Sequence, residues 1–159
     1  MADDNTLQRC LDRAYHYLNY RPRSEAELRQ QLHQQGFENT VVEEALSKLK
    51  EQNLVDDLAF ARSWRDARLS FRPKSKRLIE RELKDKKVAA EIIDETTKDI
   101  DDENNAYKLG RGRLPGLAHS DYHEFRRRLS NYLHYRGFAY EIIKRVINAL
   151  WQEREQPLG

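Results

Sequence analysis

Apolar residues recur three and four positions apart along almost the whole chain, the spacing that puts them on one face of an α-helix. Leu7, Leu11, Ala14, Tyr15 and Leu18 mark a first helix over Thr6 to Asn19. Pro22 blocks its continuation and biases Arg21 toward an extended conformation. Ser24-Glu25-Ala26-Glu27 has the form of a capping box and opens a second helix that Gly36 stops. Thr40-Val41-Val42-Glu43 has the same form and opens a third, ending near Gln52. Strand-type alternation is absent, and the β-branched residues fall at helical spacing.

The pattern then repeats. Tyr20-Arg21-Pro22-Arg23-Ser24 returns 51 residues later as Phe71-Arg72-Pro73-Lys74-Ser75. In the same register Leu28 and Leu32 meet Ile79 and Leu83, and Gly36-Phe37 meets Lys87-Val88. Val42, Leu46 and Leu49 meet Ile93, Thr97 and Ile100. A further 50 residues on, Leu129, Leu133, Gly137, Phe138, Ile143, Ile147 and Leu150 take the same places. The expected fold is all-α: three tandem three-helix units, helix-turn-helix-like, over residues 1–54, 55–100 and 101–159. A unit of about 50 residues has a small core and gains by stacking on its neighbours, so the expected assembly is an elongated, curved array. In the second unit, helices are expected from Asp57, over Ser75 to Lys86, and from Ala89 to about Asp99. In the third, a helix through Ala106, Tyr107 and Leu109 gives way to Gly110-Arg111-Gly112-Arg113-Leu114-Pro115-Gly116, read as a flexible loop over 110–119. Helices over Asp121 to Tyr135 and Ala139 to Glu153 follow, and the tail EQPLG is expected to fray.

Charge changes the picture more than composition does. The net charge is only +2, but Arg62 to Lys87 holds eleven Lys or Arg against four acids, and Glu91 to Glu103 holds seven acids against one lysine. Such polarisation speaks to partners rather than to fold. On a helix from Ser75, Arg77, Arg81 and Lys84 form one stripe, and Arg72, Lys74 and Lys76 precede it, with Lys87 at its end. Lys and Arg in this density suit phosphate contacts. Arg126-Arg127-Arg128 with Arg136 forms a second basic patch, which the loop residues Arg111 and Arg113 could join. Tyr20, Phe71, Tyr132, Tyr135 and Tyr140 lie beside bases; packing between helices is their expected role, with stacking on nucleic-acid bases the alternative. Phe37, Phe60, Trp64, Phe138 and Trp151 are read as core.

Other chemistry finds little support. The single cysteine, Cys10, excludes an intrachain disulfide and suits a reducing compartment. Asp56-Asp57 is read as a helix-capping pair rather than a catalytic or metal-binding one. His119 and His123 are four apart but lack a third ligand. No phosphate-binding glycine loop, dinucleotide motif or activated nucleophile is present, so neither an enzyme nor a cofactor is expected. The N-terminal residues lack the pattern of a signal peptide, and no apolar run reaches the length of a membrane span, so a cytoplasmic monomer is expected.

Leu54-Val55-Asp56-Asp57-Leu58-Ala59-Phe60-Ala61, then Arg77-Leu78-Ile79-Glu80-Arg81-Glu82-Leu83, then LSNYLHYRGF over 129–138, together resemble the RecX regulatory proteins. The resemblance runs from about Leu7 to Leu150. That family usually carries glycine at the places of Ser75 and Lys87. The resemblance implies a bacterial protein, with a part in DNA repair and recombination, that binds the RecA filament on single-stranded DNA, lies in its groove and inhibits recombinase and ATPase activity. The site residues would then be Arg72, Lys74, Lys76, Arg77, Arg81, Lys84, Lys87, Arg126, Arg127 and Arg128, meeting DNA directly or through RecA. A stand-alone helix-turn-helix DNA-binding module and a protein-only scaffold are the competing readings.

Overall fold

The computed structural model describes residues 3–155, and all regular structure among them is helical. Among the described residues nine α-helices run in order: α1 (Asp4–Tyr20), α2 (Glu25–Gln34), α3 (Asn39–Glu51), α4 (Asp57–Ser70), α5 (Lys76–Asp85), α6 (Ala90–Thr97), α7 (Asp102–Arg111), α8 (Tyr122–Tyr135) and α9 (Tyr140–Glu155). A 3-10 turn over Leu114–Leu117 separates α7 from α8. The last residues of the EQPLG tail, 156–159, lie outside the described residues. Two compact units divide the chain. One takes the residues up to Trp64 together with Glu82–Thr96; the other takes Arg65–Arg81 together with the residues from Thr97 onward.

In the first unit α1, α2 and α3 close on a core in which Leu28, Leu32, Val42 and Leu49 are fully shielded. Each such aliphatic side chain contributes about 1.5–3 kcal/mol by leaving water. In the second unit Phe125, Leu129, Leu133 and Phe138 meet Ile143, Val146, Ile147 and Leu150 of α9, with Ala106 and Leu109 of α7 beneath. Phe37, Trp64 and Trp151, read as core, are half-buried, with Phe37 and Trp151 packed against the edges of their cores. The Trp64 indole instead donates to Glu82 Oε2 at 3.1 Å.

The middle helix of each repeat stops in the same way. After α2, α5 and α8 the chain turns through a left-handed residue: Gly36 (φ 93°), Lys87 (φ 60°) and Gly137 (φ 93°). In each case the next amide reaches back to a carbonyl five residues earlier: Phe37 to Leu32 at 3.3 Å, Val88 to Leu83 at 3.2 Å and Phe138 to Leu133 at 3.2 Å. This satisfies carbonyls that the helix end leaves open. Lys87 therefore keeps the geometry of its glycine counterparts, at the cost of holding a Cβ in the left-handed region.

Two sequence expectations are corrected. Thr40 does not cap α3, which begins at Asn39 after Glu38 with no side-chain cap. The glycine-rich stretch is largely ordered structure. Gly110 lies buried within α7, where an added Cβ would meet Leu150 Cδ1 at 2.5 Å, so glycine there serves close packing. Pro115 sits at the start of the 3-10 turn, where its missing N–H costs nothing.

The paired aspartates act in two directions. Asp56 accepts from the amides of Leu58 and Ala59 and so caps its own helix. Asp57 accepts at 2.8 Å from the amide of Glu25, the first residue of α2. Asp101 and Asp102 repeat the arrangement: Asp101 caps α7 through Asn104, and Asp102 accepts at 2.8 Å from the amide of Lys76 at the start of α5. Burial, the largest effect on either carboxyl, raises the pKa of both Asp57 and Asp102 above the ordinary aspartate value.

Candidate nucleic-acid interface

Each unit contains a docking joint in which the start of one repeat's middle helix meets the end of the next repeat's middle helix. In the first unit the N-cap Ser24 accepts from the Glu27 amide and donates its hydroxyl to the Lys86 carbonyl at 2.8 Å. In the second unit Ser75 caps α5 through the Leu78 amide, and its own amide donates to the Arg136 carbonyl at 3.1 Å. Both serines are buried. Lys86 and Arg136 occupy the same place, one residue before the left-handed stop.

The two joints share a frame but not an electrostatic character. In the first, Glu27 accepts from the Arg21 guanidinium at 2.5 Å, from the Ser24 amide at 3.2 Å and from Lys86 Nζ at 3.1 Å. Burial, the largest single effect, raises the pKa of this carboxyl, but the hydrogen bonds from Arg21, Ser24 and Lys86 outweigh it and leave the value below normal. The register of the repeat places Leu78 where Glu27 stands, Arg72 where Arg21 stands and Arg136 where Lys86 stands. It also replaces Glu25-Ala26 with Lys76-Arg77.

Among the described residues, none of Arg72, Lys76, Arg77 and Arg136 has a carboxylate within salt-bridge distance. Arg136 donates from its guanidinium to the Arg72 carbonyl, and its Nε is buried without a hydrogen-bond partner. Arg77 reaches the Gly137 carbonyl at 3.5 Å. Asp102 is the counter-charge close by, favoured by Lys76 and Arg77 but half-buried and engaged with the Lys76 amide. The first joint is neutralised from within, and the second carries a cationic surplus at the first turn of α5. A helix start favours negative charge, so bases there stand against the helix dipole unless an anion joins them.

The other candidate bases are placed as follows. Lys74 is half-buried, with its amide on the Arg68 carbonyl. Arg81 is exposed on α5. Lys84 and Lys87 are exposed too, but belong to the first unit. Arg126, Arg127 and Arg128 are all exposed on α8, with Arg128 at 3.8 Å from Glu124. Arg127 lies about 14 Å along that helix from Arg136, by helical rise. Proximity in the sequence groups Arg136 with those three; the hydrogen bonds place it against Arg72 and Ser75. The signal that could have found this is the comparison of Glu27 with Leu78 at equivalent places.

The aromatic residues depart from expectation. Tyr20, Phe71 and Tyr135 are 83%, 85% and 82% exposed, and Tyr140 is also exposed, so packing between helices is not their role. Tyr132 alone of the five is half-buried, with the Arg113 guanidinium over its ring at 4.0 Å. Among the described residues no group of three His, Cys, Asp or Glu could hold a metal ion, and no helix is long and apolar enough to cross a membrane.

Comparison with known proteins matches this arrangement of helices throughout. Models of the first, second and third three-helix domains of RecX match residues 10–49, 56–96 and 101–147. The regulatory protein RecX of Prosthecochloris aestuarii is 31% identical over 150 residues, covering 94% of this chain and 98% of that protein. The regulatory protein RecX of Clostridioides difficile is 28% identical, covering 94% of this chain and 72% of its own length. The crystal structure of RecX from Lactobacillus salivarius superposes with a TM-score of 0.80 over 93% of this chain and 98% of its own, at 20% identity. With three consecutive domain models matched in order, the chain belongs to the RecX family of regulatory proteins.

Proposed function

We propose that the protein binds the RecA filament on single-stranded DNA and inhibits RecA, with the second joint contacting phosphates. One observation carries this reading: the Arg136 guanidinium meets the Arg72 carbonyl and Arg77 meets the Gly137 carbonyl beside Lys76 at the start of α5, while Leu78 takes the repeat position of the neutralising Glu27. A built frame with its neutralising acid removed is suited to an anion from outside. Phosphates of a nucleoprotein filament are regularly spaced anions of the right kind. Exposed Arg81 and the Arg126–Arg128 row offer further cations in the same unit.

The test is RecA-driven ATP hydrolysis on single-stranded DNA. The protein is expected to inhibit at less than one molecule per RecA. Leu78→Glu rebuilds the neutralised form of the joint and is expected to weaken inhibition while helical content stays unchanged. Every phosphate that the variant no longer neutralises should lower the salt slope of single-strand binding by about 0.7. Full inhibition by Leu78→Glu at low and physiological salt would remove the joint from the mechanism. Absence of inhibition by the parent, with tight binding to one duplex sequence, would favour the helix-turn-helix reading instead.

A further inference from the structure

We infer that Phe71 and Tyr135 form a stacking platform for unpaired bases, which makes the second joint a reader of single strands rather than of phosphate charge alone. The inference rests on the phosphate-binding reading above and adds the chemical class of ligand that the site prefers.

Rings this exposed give up most of the free energy that burial would supply, and they keep their faces open to a ligand, with the Arg72 guanidinium over the Phe71 ring at 5.5 Å. Each ring is the chain neighbour of a joint arginine, Phe71 of Arg72 and Tyr135 of Arg136. The two arginines are themselves in contact, because the Arg136 guanidinium donates to the Arg72 carbonyl. The same segments are tied again by the Ser75 amide on the Arg136 carbonyl and by Arg77 on the Gly137 carbonyl. Buried Pro73 fixes the backbone beyond Arg72. The rings are thus mounted on a braced frame beside a cationic surplus. This combination, bases for the backbone and aromatic faces for the nucleobases, is what sequence-tolerant single-strand binding requires. In a duplex the nucleobases are stacked on one another and cannot use it.

Aromatic and arginine side chains also serve protein interfaces. The surplus of positive charge favours a nucleic acid here, and the chain supplies its own control. Tyr20 has the repeat position of Phe71 and nearly the same exposure, but its joint is neutralised by Glu27. A ring that acted by exposure alone would make Tyr20 equivalent to Phe71.

The experiment measures binding of the full chain to a fluorescent oligothymidylate and to a duplex of equal length, by anisotropy at two salt concentrations. Phe71→Ala and Tyr135→Ala are each expected to weaken oligothymidylate binding by about tenfold, within the range for loss of one stacked base. Their duplex affinity and salt slope should match the parent. Phe71→Tyr and Tyr135→Phe should retain affinity, and Tyr20→Ala should behave as the parent. Unchanged oligothymidylate binding by the two alanine variants overturns the platform. So does an equal loss on duplex, or a loss confined to inhibition of RecA with single-strand affinity intact, which would turn the rings toward a protein. The phosphate reading fails separately, if Leu78→Glu leaves the salt slope of both nucleic acids unaltered. A parent that binds neither nucleic acid overturns both.

Discussion

Glu27 and Lys86 stand 59 positions apart in the chain and meet at 3.1 Å, one carboxylate and one ammonium closing the joint between successive repeats. The same carboxylate takes Arg21, so its removal would leave two cations facing each other. Glu27→Ala is expected to destabilise the fold by about 1–2 kcal/mol at neutral pH, discounted from a fully buried pair because the cations keep some solvent. Chemical denaturation followed by circular dichroism measures it. The contribution has a definite pH window. Because the folded pKa lies below the unfolded value, the stabilisation is full above the unfolded glutamate value and is lost as pH falls through the folded one. A Glu27→Ala variant should therefore approach the parent in stability as the solution is acidified.

Asp57 and Asp102 have the opposite sign. Burial raises their folded pKa, so each folded carboxyl binds its proton more readily than the unfolded one does. Their cost is full above the folded value, shrinks as pH falls between the two values and vanishes below the unfolded one. Asn can still accept the amide of Glu25 or Lys76 without a charge. Asp57→Asn and Asp102→Asn are expected to equal or exceed the parent in stability at pH 7 and to remove this part of the acid-side pH dependence. Asp57→Ala, which loses the acceptor, is expected to cost about 1 kcal/mol. Urea midpoints from pH 3 to pH 7 separate the three.

Gly36 and Gly137 share a φ of 93° but differ in surroundings. A Cβ on Gly36 meets nothing within 4 Å, whereas one on Gly137 would run into Leu78 Cγ and lie 2.6 Å from Ser75 Oγ. Gly36→Ala is expected to cost about 1–2 kcal/mol, the backbone strain alone. Gly137→Ala adds a steric clash at the second joint and should cost about 1–3 kcal/mol more. Thermal melts of the two variants side by side check the order.

Lys87 is the third member of that set. Lys87→Gly relieves the left-handed strain and is expected to raise stability by about 0.5–1 kcal/mol, less than the strain itself because glycine frees the unfolded chain. Its side chain is exposed, so no packing is lost. A rise in the denaturation midpoint at constant slope is the expected reading.

The helices were legible because Leu28, Leu32, Val42, Leu46 and Leu49 repeat at 3.6-residue spacing, and their copies follow 51 and then 101 positions later. Local turn chemistry was legible at Ser24 and less so at Thr40, where the tertiary start of α3 at Asn39 overrode a good local signal. Gly110 misled for a related reason: a residue that breaks helices in isolation is retained inside one where a neighbouring Leu150 leaves no room for a methyl group. The basic residues could be counted but not sorted. Lys86 and Arg77 look alike in the sequence, yet one is spent on Glu27 and the other is not, and only the distances between residues far apart in the chain distinguish them.

The second aspartate of each pair has one more implication. Since Asp57 completes the start of α2, and the Lys86 carbonyl receives the Ser24 hydroxyl, an isolated 54-residue fragment would carry an unmet amide and hydroxyl at its own helix cap. The repeats are not interchangeable cassettes. A truncation that ends after the stop at Lys87 and α6 keeps what α2 borrows, but it strips α5 in turn of Asp102 and of the Arg136 carbonyl.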